Sequence, residues 1–319
     1  MQDIAQQLAR LNSDGVTLSV AELVRYQQLA RLIDLTPSRR PQARLAGSYL
    51  TKHKGRGMEF DEARHYQPGD DIRAIDWRVT ARTGKTHTKI YREERERPVF
   101  LLCDFSASMH FGTQLLTKAV QAAHTASLIS WSAAARGDKI GALLFGSIRH
   151  RECRPQARKR AVLGICHELI AMHSASAETT QHASHAYQAF ADACARARRL
   201  ARPGSLVYLI SDFEHVNETA RQHISQLARH CEVRAVLISD PMEHALPQAS
   251  AAQQVSVTDG TEEQTWLLGD STEQQRYTQW RQAQHAEIQQ TLEQNGIRLH
   301  SISAGSALED QIQTMRRPR

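Results

Sequence analysis

Pro98-Val99-Phe100-Leu101-Leu102-Cys103-Asp104-Phe105-Ser106-Ala107-Ser108-Met109 decides how this chain is read. The stretch begins as an apolar run with no polar alternation. A strand covered on both faces reads this way, as at the centre of a parallel sheet. The run stops at Asp104, two serines follow at spacing two, and a helical pattern begins near Thr113. One carboxylate and two hydroxyls at the carboxyl end of such a strand are hard oxygen donors that suit Mg²⁺ or Mn²⁺. In open α/β sheets that edge is where ligands bind.

Downstream, strands and helices alternate, the pattern of a parallel, doubly wound sheet. Strand 98–104 leads into helix 113–136, whose small residues predict close packing and which Gly137 ends. Lys139–Phe145 is the next strand. Gly146-Ser147 turns the chain into Ile148–Cys153, an antiparallel edge strand. Helices at 157–172 and 183–200 follow. Leu206-Val207-Tyr208-Leu209-Ile210-Ser211-Asp212 is then a second buried strand that ends in an aspartate. Helix 216–229, strand 233–239, a polar helix 271–295 and strand 297–302 complete the alternation, with an inserted hairpin near 253–269.

Upstream, residues 1–20 are polar and read as loosely held, and 20–35 has apolar residues at helical spacing. Residues 45–97 read as short extended pieces, with a turn at Pro68-Gly69-Asp70-Asp71, a helical turn near 75–82 and a strand at 86–93. That block has too few apolar residues for a core of its own. The expected organisation is a helical segment 1–44, an extended block 45–97, a main domain 98–304 and a basic tail 305–319.

The composition of the 319 residues, 41% hydrophobic and 23% charged, is that of a globular chain with a real core. No apolar stretch approaches the roughly 20 residues of a membrane span. Met1 to Asn12 lacks the basic start and apolar core of a signal peptide. Five scattered cysteines without a C-x-x-C read as buried free thiols, and the expected location is the cytoplasm. The net charge is +6, with a basic run from Arg149 to Arg160. Only 6% of residues are aromatic and no nucleic-acid motif is present, so no nucleic-acid partner is expected.

The pattern Asp-x-Ser-x-Ser resembles the metal-ion-dependent adhesion site of von Willebrand factor A (vWA) domains, and the element order over 98–304 is similar to that fold. The resemblance implies a metal set of Asp104, Ser106, Ser108, the strand-ending Asp212 and a threonine. Thr179, Thr180 and Ser184 are candidates for the last; Thr180 is chosen because a helical pattern starts just after it. The upstream block is more specific. Gly55-Arg56-Gly57-Met58-Glu59-Phe60, Arg64-x-Tyr66-x-Pro68-Gly69-Asp70-Asp71-x-Arg73-x-Ile75-Asp76-Trp77 and Ala81-Arg82-x-Gly84 resemble the signature of the bacterial domain-of-unknown-function family 58. That resemblance implies a vWA-like domain directly after the block. It also implies partnership with a MoxR-type AAA+ ATPase, as adaptor or co-chaperone toward the ATPase or its client.

Each of the remaining constellations also has a structural reading. The serines can cap the following helix, and the aspartates can be polar strand ends. Asp70, Asp71 and Asp76 suggest a catalytic carboxylate cluster, but each has an arginine nearby and reads as part of an ion-paired turn, with Tyr66 and Trp77 as anchors. Gly84-Lys85-Thr86 lacks the earlier glycine of a phosphate-binding loop, where Val79 stands, so the chain is not itself the ATPase. Glu178, His182 and His185 lack a fourth zinc ligand in view. No Gly-x-Ser-x-Gly elbow occurs.

The sequence therefore reads as an α/β protein: a doubly wound, mostly parallel sheet of vWA-like, Rossmann type, preceded by a small extended block. The expected function is non-enzymatic protein binding through Mg²⁺ or Mn²⁺ at Asp104, Ser106, Ser108, Thr180 and Asp212, without membrane insertion. The alternative is a metal-dependent hydrolase or nuclease using Asp70, Asp71 and Asp76.

Overall fold

The computed structural model describes residues 4–36, 58–93, 98–177, 185–246, 253–258, 263–268 and 271–316. The chain divides into two compact units, one of Ser38–Glu96 and one of Met1–Pro37 with Arg97–Arg319.

The large unit opens with helix α1 (Ile4–Leu11) and the short helix α2 (Val20–Arg25). Ser19 and Glu22 form a reciprocal capping box that starts α2. The helical spacing over 20–35 is met by α2 and a 3₁₀ turn at Ala30–Leu32, not by one helix. The expectation of a loosely held start is corrected. Leu11, Leu18, Leu23, Tyr26 and Leu35 are buried in the core of the large unit. Ser127 and Trp131 donate to the Leu23 carbonyl, and Ser132 donates to that of Ala30. A few apolar residues among many polar ones suffice, because one face alone has to be covered.

In the small unit, β1 (Met58–His65) and β2 (His87–Glu93) pair antiparallel, with a register shift between Phe60 and Glu62. Between them α3 (Trp77–Thr83) starts at an Asp76 cap and ends at Gly84, whose φ of 67° is the left-handed cap geometry. The part of the expected extended block before Met58 lies outside the described residues. Tyr66 is half-buried, but Trp77 is 67% exposed, which corrects its expected anchoring role. A two-stranded unit this small has too little apolar surface to cover an indole.

The rest of the large unit runs β3 (Val99–Asp104), α4 (Lys118–Arg136), β4 (Ile140–Phe145), β5 (His150–Gln156), α5 (Lys159–Ala177) and α6 (Ala186–Leu200). Then come β6 (Leu206–Ser211), α7 (Glu218–His230), β7 (Glu232–Ser239), the single turn α8 (Pro241–His244), and the antiparallel hairpin of β8 (Gln253–Thr258) with β9 (Glu263–Leu268). It closes with α9 (Ser271–Gln294), β10 (Arg298–Ser303) and α10 (Leu308–Arg316). The expected basic tail is thus corrected over most of its length. Leu308 and Ile312 are buried, while Glu309 and Asp310 pair with Arg25 and Arg10 of the N-terminal helices.

The sheet order is β10-β7-β6-β3-β4-β5, parallel except for the β4–β5 pair. β5 is the antiparallel edge strand. Successive residues of β3 serve opposite faces, as the two-residue strand period requires. Val99, Leu101 and Cys103 pack toward α4 and α5, while Phe100 and Leu102 pack toward α6 and α7. Helices therefore cover both faces, which explains the apolar run without alternation. The chain builds β4 and β5 on one side of β3, then returns to place β6 on the other. The strand order reverses between β3 and β6, and their carboxyl ends frame the crevice that open α/β sheets use for ligands. Among the described residues no helix is long and apolar enough to cross a membrane.

Candidate functional site

Asp104 is the last residue of β3, and Asp212 directly follows β6. These strands are neighbours, with Cys103 opposite Ile210. The two aspartates therefore meet at the switch point, both buried. Leaving β3, the chain makes a 3₁₀ turn at Ala107–His110. That turn brings the Ser106 and Ser108 hydroxyls within 3.3 Å of each other. The helix expected from Thr113 begins only at Lys118. Residues 113–117 form a loop held by Asp240, which accepts from the Thr113 backbone N–H at 2.8 Å and from its hydroxyl.

Asp104 has both oxygens engaged. Oδ1 accepts from the Ser106 N–H at 2.7 Å and Oδ2 from the Ser211 hydroxyl at 2.7 Å. Burial, then the negative charge of Asp212, push its carboxyl up from an ordinary 3.8 to about 6. Asp212 goes the other way. Burial works to raise its carboxyl, but Lys118 and hydrogen bonds from Lys118 and Ser108 outweigh that and hold it below the ordinary range. Asp212 Oδ1 also accepts from the Glu214 N–H at 3.1 Å.

Lys118 was not legible as a site residue. It is the first residue of α4, 1% exposed, and its Nζ donates to Asp212 Oδ2 at 2.9 Å and to Glu243 of α8. Burial alone would lower its ammonium. Asp212, Glu243 and Glu214 reverse that and hold it firmly charged. Glu243 is raised by its own burial, which a lysine shared with Asp212 only partly offsets. Arg281 of α9 completes the cluster, 2.8 Å from Glu214 and 3.8 Å from Glu243. The available signal was a lysine opening a helix of small, buried residues, where a cation opposes the helix dipole. Asp240 was missed too, although Ser239-Asp240 repeats Ser211-Asp212 at the next strand end.

Phe213 takes φ 58°, a left-handed conformation uncommon for a residue with a side chain. The Ser211 hydroxyl accepts from its N–H at 2.9 Å, and its ring is buried beside that of Phe190. This strained residue turns the chain sharply after Asp212 and keeps the carboxylate at the crevice. A cavity of about 300 Å³ opens beside Asp212, lined by Phe213, Ile224, Leu237, Ile288 and Arg281 among others.

The donor chemistry fits a small hard cation. Ligands 2.0–2.1 Å from Mg²⁺ in octahedral geometry lie about 3 Å apart when adjacent, and the two serine hydroxyls are 3.3 Å apart. Asp212, Glu214 and Glu243 bring three carboxylates against the two cations Lys118 and Arg281, and Asp104 adds a fourth carboxylate beside Asp212. The residues that would hold the ion are Asp104, Ser106, Ser108 and Asp212; Thr180, Thr179 and Ser184 lie outside the described residues. Among the described residues no group of three or more His, Cys, Asp or Glu side chains is arranged to hold a metal, so the fit depends on the hydroxyls.

Asp70, Asp71 and Asp76 have structural work instead. Asp70 pairs with Arg64 at 2.8 Å and accepts from the Gln67 N–H. Asp71 accepts from the Arg73 N–H at the start of a 3₁₀ turn, and Asp76 caps α3 through the Arg78 and Val79 N–H groups. Glu178 and His182 of the weak zinc constellation are outside the described residues.

Comparison with known proteins gives three kinds of relative. Uncharacterized proteins from Mycobacterium bovis and from two strains of Mycobacterium tuberculosis are each 31% identical over 217 residues, covering 68% of this chain. The chain spans 66% of the length of these curated relatives, just under two thirds. Among solved structures, the conserved hypothetical protein BatB from Bacteroides thetaiotaomicron aligns over 69% of this chain and 98% of its own at 15% identity, TM-score 0.39. An aerotolerance-related membrane protein from Bacteroides fragilis aligns over 69% and 100% at 17% identity, TM-score 0.38. The SpRpn10 VWA domain aligns over 69% and 95% at 10% identity, TM-score 0.32. The family described as "Protein of unknown function DUF58" matches residues 62–289, well over half of the chain and including both strand-end aspartates, and this chain belongs to it.

Proposed function

We propose that the carboxyl edge of the large unit's sheet is a divalent-cation-dependent protein-binding site, and that the chain is a non-enzymatic adaptor or co-chaperone. The observation that carries this reading is the pair of converging hydroxyls, Ser106 and Ser108, beside two buried aspartates at the strand switch point. Mg²⁺ or Mn²⁺ held there would supply a Lewis-acidic position able to accept a carboxylate from a partner. The chain's own residues do the rest. Asp104 orients the serine loop through the Ser106 N–H, Ser211 fixes Asp104, and Asp240 holds the loop's far end through Thr113. Among the described residues each carboxylate of the site has a partner that restrains it, Ser211 on Asp104, Lys118 on Asp212 and Glu243, and Arg281 on Glu214, which suits a fixed binding surface.

The partner proposed from the family resemblance is a MoxR-type AAA+ ATPase or its client. Five free cysteines support a reducing, cytoplasmic setting. The test has two parts. Calorimetric titration with Mg²⁺ and Mn²⁺ should show binding to the wild-type chain and a loss of about ten-fold or more in the Ser106→Ala, Ser108→Ala double variant, the scale of about 1.4 kcal/mol. A pull-down with a purified MoxR-type ATPase should then lose its signal in excess chelator. Partner capture unchanged by both the chelator and the double variant would refute the reading.

A further inference from the structure

We infer that Lys118 is a tethered cation that competes with a divalent ion for Asp212 and so weakens ion binding by the chain on its own. The inference rests on the divalent-cation reading above. Lys118 stands where a lysine is poorly placed for stability alone. It opens α4, where the helix dipole is positive, and its ammonium is buried. What holds it there is acidic and belongs to the site: Asp212 Oδ2 at 2.9 Å and Glu243. The other oxygen of Asp212 already accepts from the Glu214 N–H. An ion that draws on Asp212 therefore meets the ammonium's charge on the same carboxylate, and at Oδ2 it must share or displace it.

The geometry also gives Lys118 a second station. Glu243 Oε1 bonds Lys118 and lies 3.8 Å from Arg281. The ammonium can stay on Glu243 while releasing Asp212, so the exchange need not leave a buried charge unpaired. An ion that has to overcome a resident cation binds weakly until a further anionic ligand joins it. The acidic side chain of a partner is such a ligand, so Lys118 makes ion and partner bind together.

The probe is Mn²⁺ alone, titrated calorimetrically into the full chain as wild type, Lys118→Met, the double variant Lys118→Met with Glu243→Gln, and Asp104→Ala. The double variant removes one positive and one negative charge. It neutralises Glu243, so that of the two carboxylates bonded to Lys118 only Asp212 is left without its cation, and its folding is checked by circular dichroism. It should bind Mn²⁺ at least about ten-fold tighter than wild type, because Asp212 is freed without a change in net charge. Equal or weaker affinity in the folded double variant, with wild type binding Mn²⁺ and Asp104→Ala not, overturns the inference and leaves the site reading standing. No Mn²⁺ binding by wild type or either lysine variant, or binding untouched by Asp104→Ala, overturns the site reading and the inference with it.

Discussion

Replacing Asp104 by asparagine should make the chain more stable and the site inactive. Burial and the neighbouring Asp212 push the Asp104 carboxyl up from 3.8 to about 6. At 1.36 kcal/mol per pH unit, holding it ionised at pH 8 costs the fold about 3 kcal/mol. Asparagine keeps the shape, and its Oδ1 can still accept from the Ser106 N–H. It loses the charged acceptor for the Ser211 hydroxyl, worth about 1 kcal/mol. The net gain is about 2 kcal/mol, or roughly 4–8 °C in Tm for a unit of this size. The sign in pH follows from a folded-state value above the unfolded one. The cost is absent below about pH 4, where both states are protonated, grows from pH 4 to 6, and is complete above that. Thermal melts of wild type and Asp104→Asn, in chelator at pH 4, 6 and 8, should diverge in that order. Added Mn²⁺ should raise the Tm of wild type and leave the variant unmoved. A variant less stable than wild type at pH 8, or a gain that does not change between pH 4 and 8, would refute the assignment of Asp104 as a charge held against its burial.

Two further outcomes are expected. Deleting residues 1–36 removes Leu11, Leu23, Tyr26 and Leu35 from the core and the partners of Ser127, Trp131 and Ser132, so the truncated chain should be insoluble or melt without a cooperative transition; a Tm within a few degrees of the full chain contradicts this. Of the five thiols, Cys103, Cys166, Cys194 and Cys231 are buried and Cys153 is half-buried, with burial pushing the thiols of Cys153 and Cys166 up to about 11. A thiol reagent at pH 8 should label Cys153 first and slowly, and all five only in denaturant; rapid labelling of any of the other four in the folded chain contradicts this.

The doubly wound core could be read from sequence because its signals are local. An apolar run without alternation, such as 98–103, means cover on both faces. A glycine after a helical pattern, as at Gly137, means an end. Ile148–Cys153 after a two-residue turn means an antiparallel neighbour. Asp104 and Asp212 stood out because each breaks such a run at its carboxyl end. The small unit's strands, turn and short helix were legible for the same reason.

What local pattern could not supply was the pairing of distant segments. Only the strand order places Asp104 beside Asp212, because adjacency of β3 and β6 is a property of the whole sheet. Only packing shows that the polar start of the chain and the segment from Ala307 to Ile312 belong to the core, since a helix joins it by covering one face, as Leu23 and Leu308 do. Only the folded site turns Lys118, Asp240 and Glu243 from ordinary surface residue types into buried, mutually dependent charges. Residue type and spacing set the chemistry on offer at each strand end. The partner that meets each charge is chosen by three-dimensional proximity in a low-dielectric interior, which the order of residues along the chain does not encode locally.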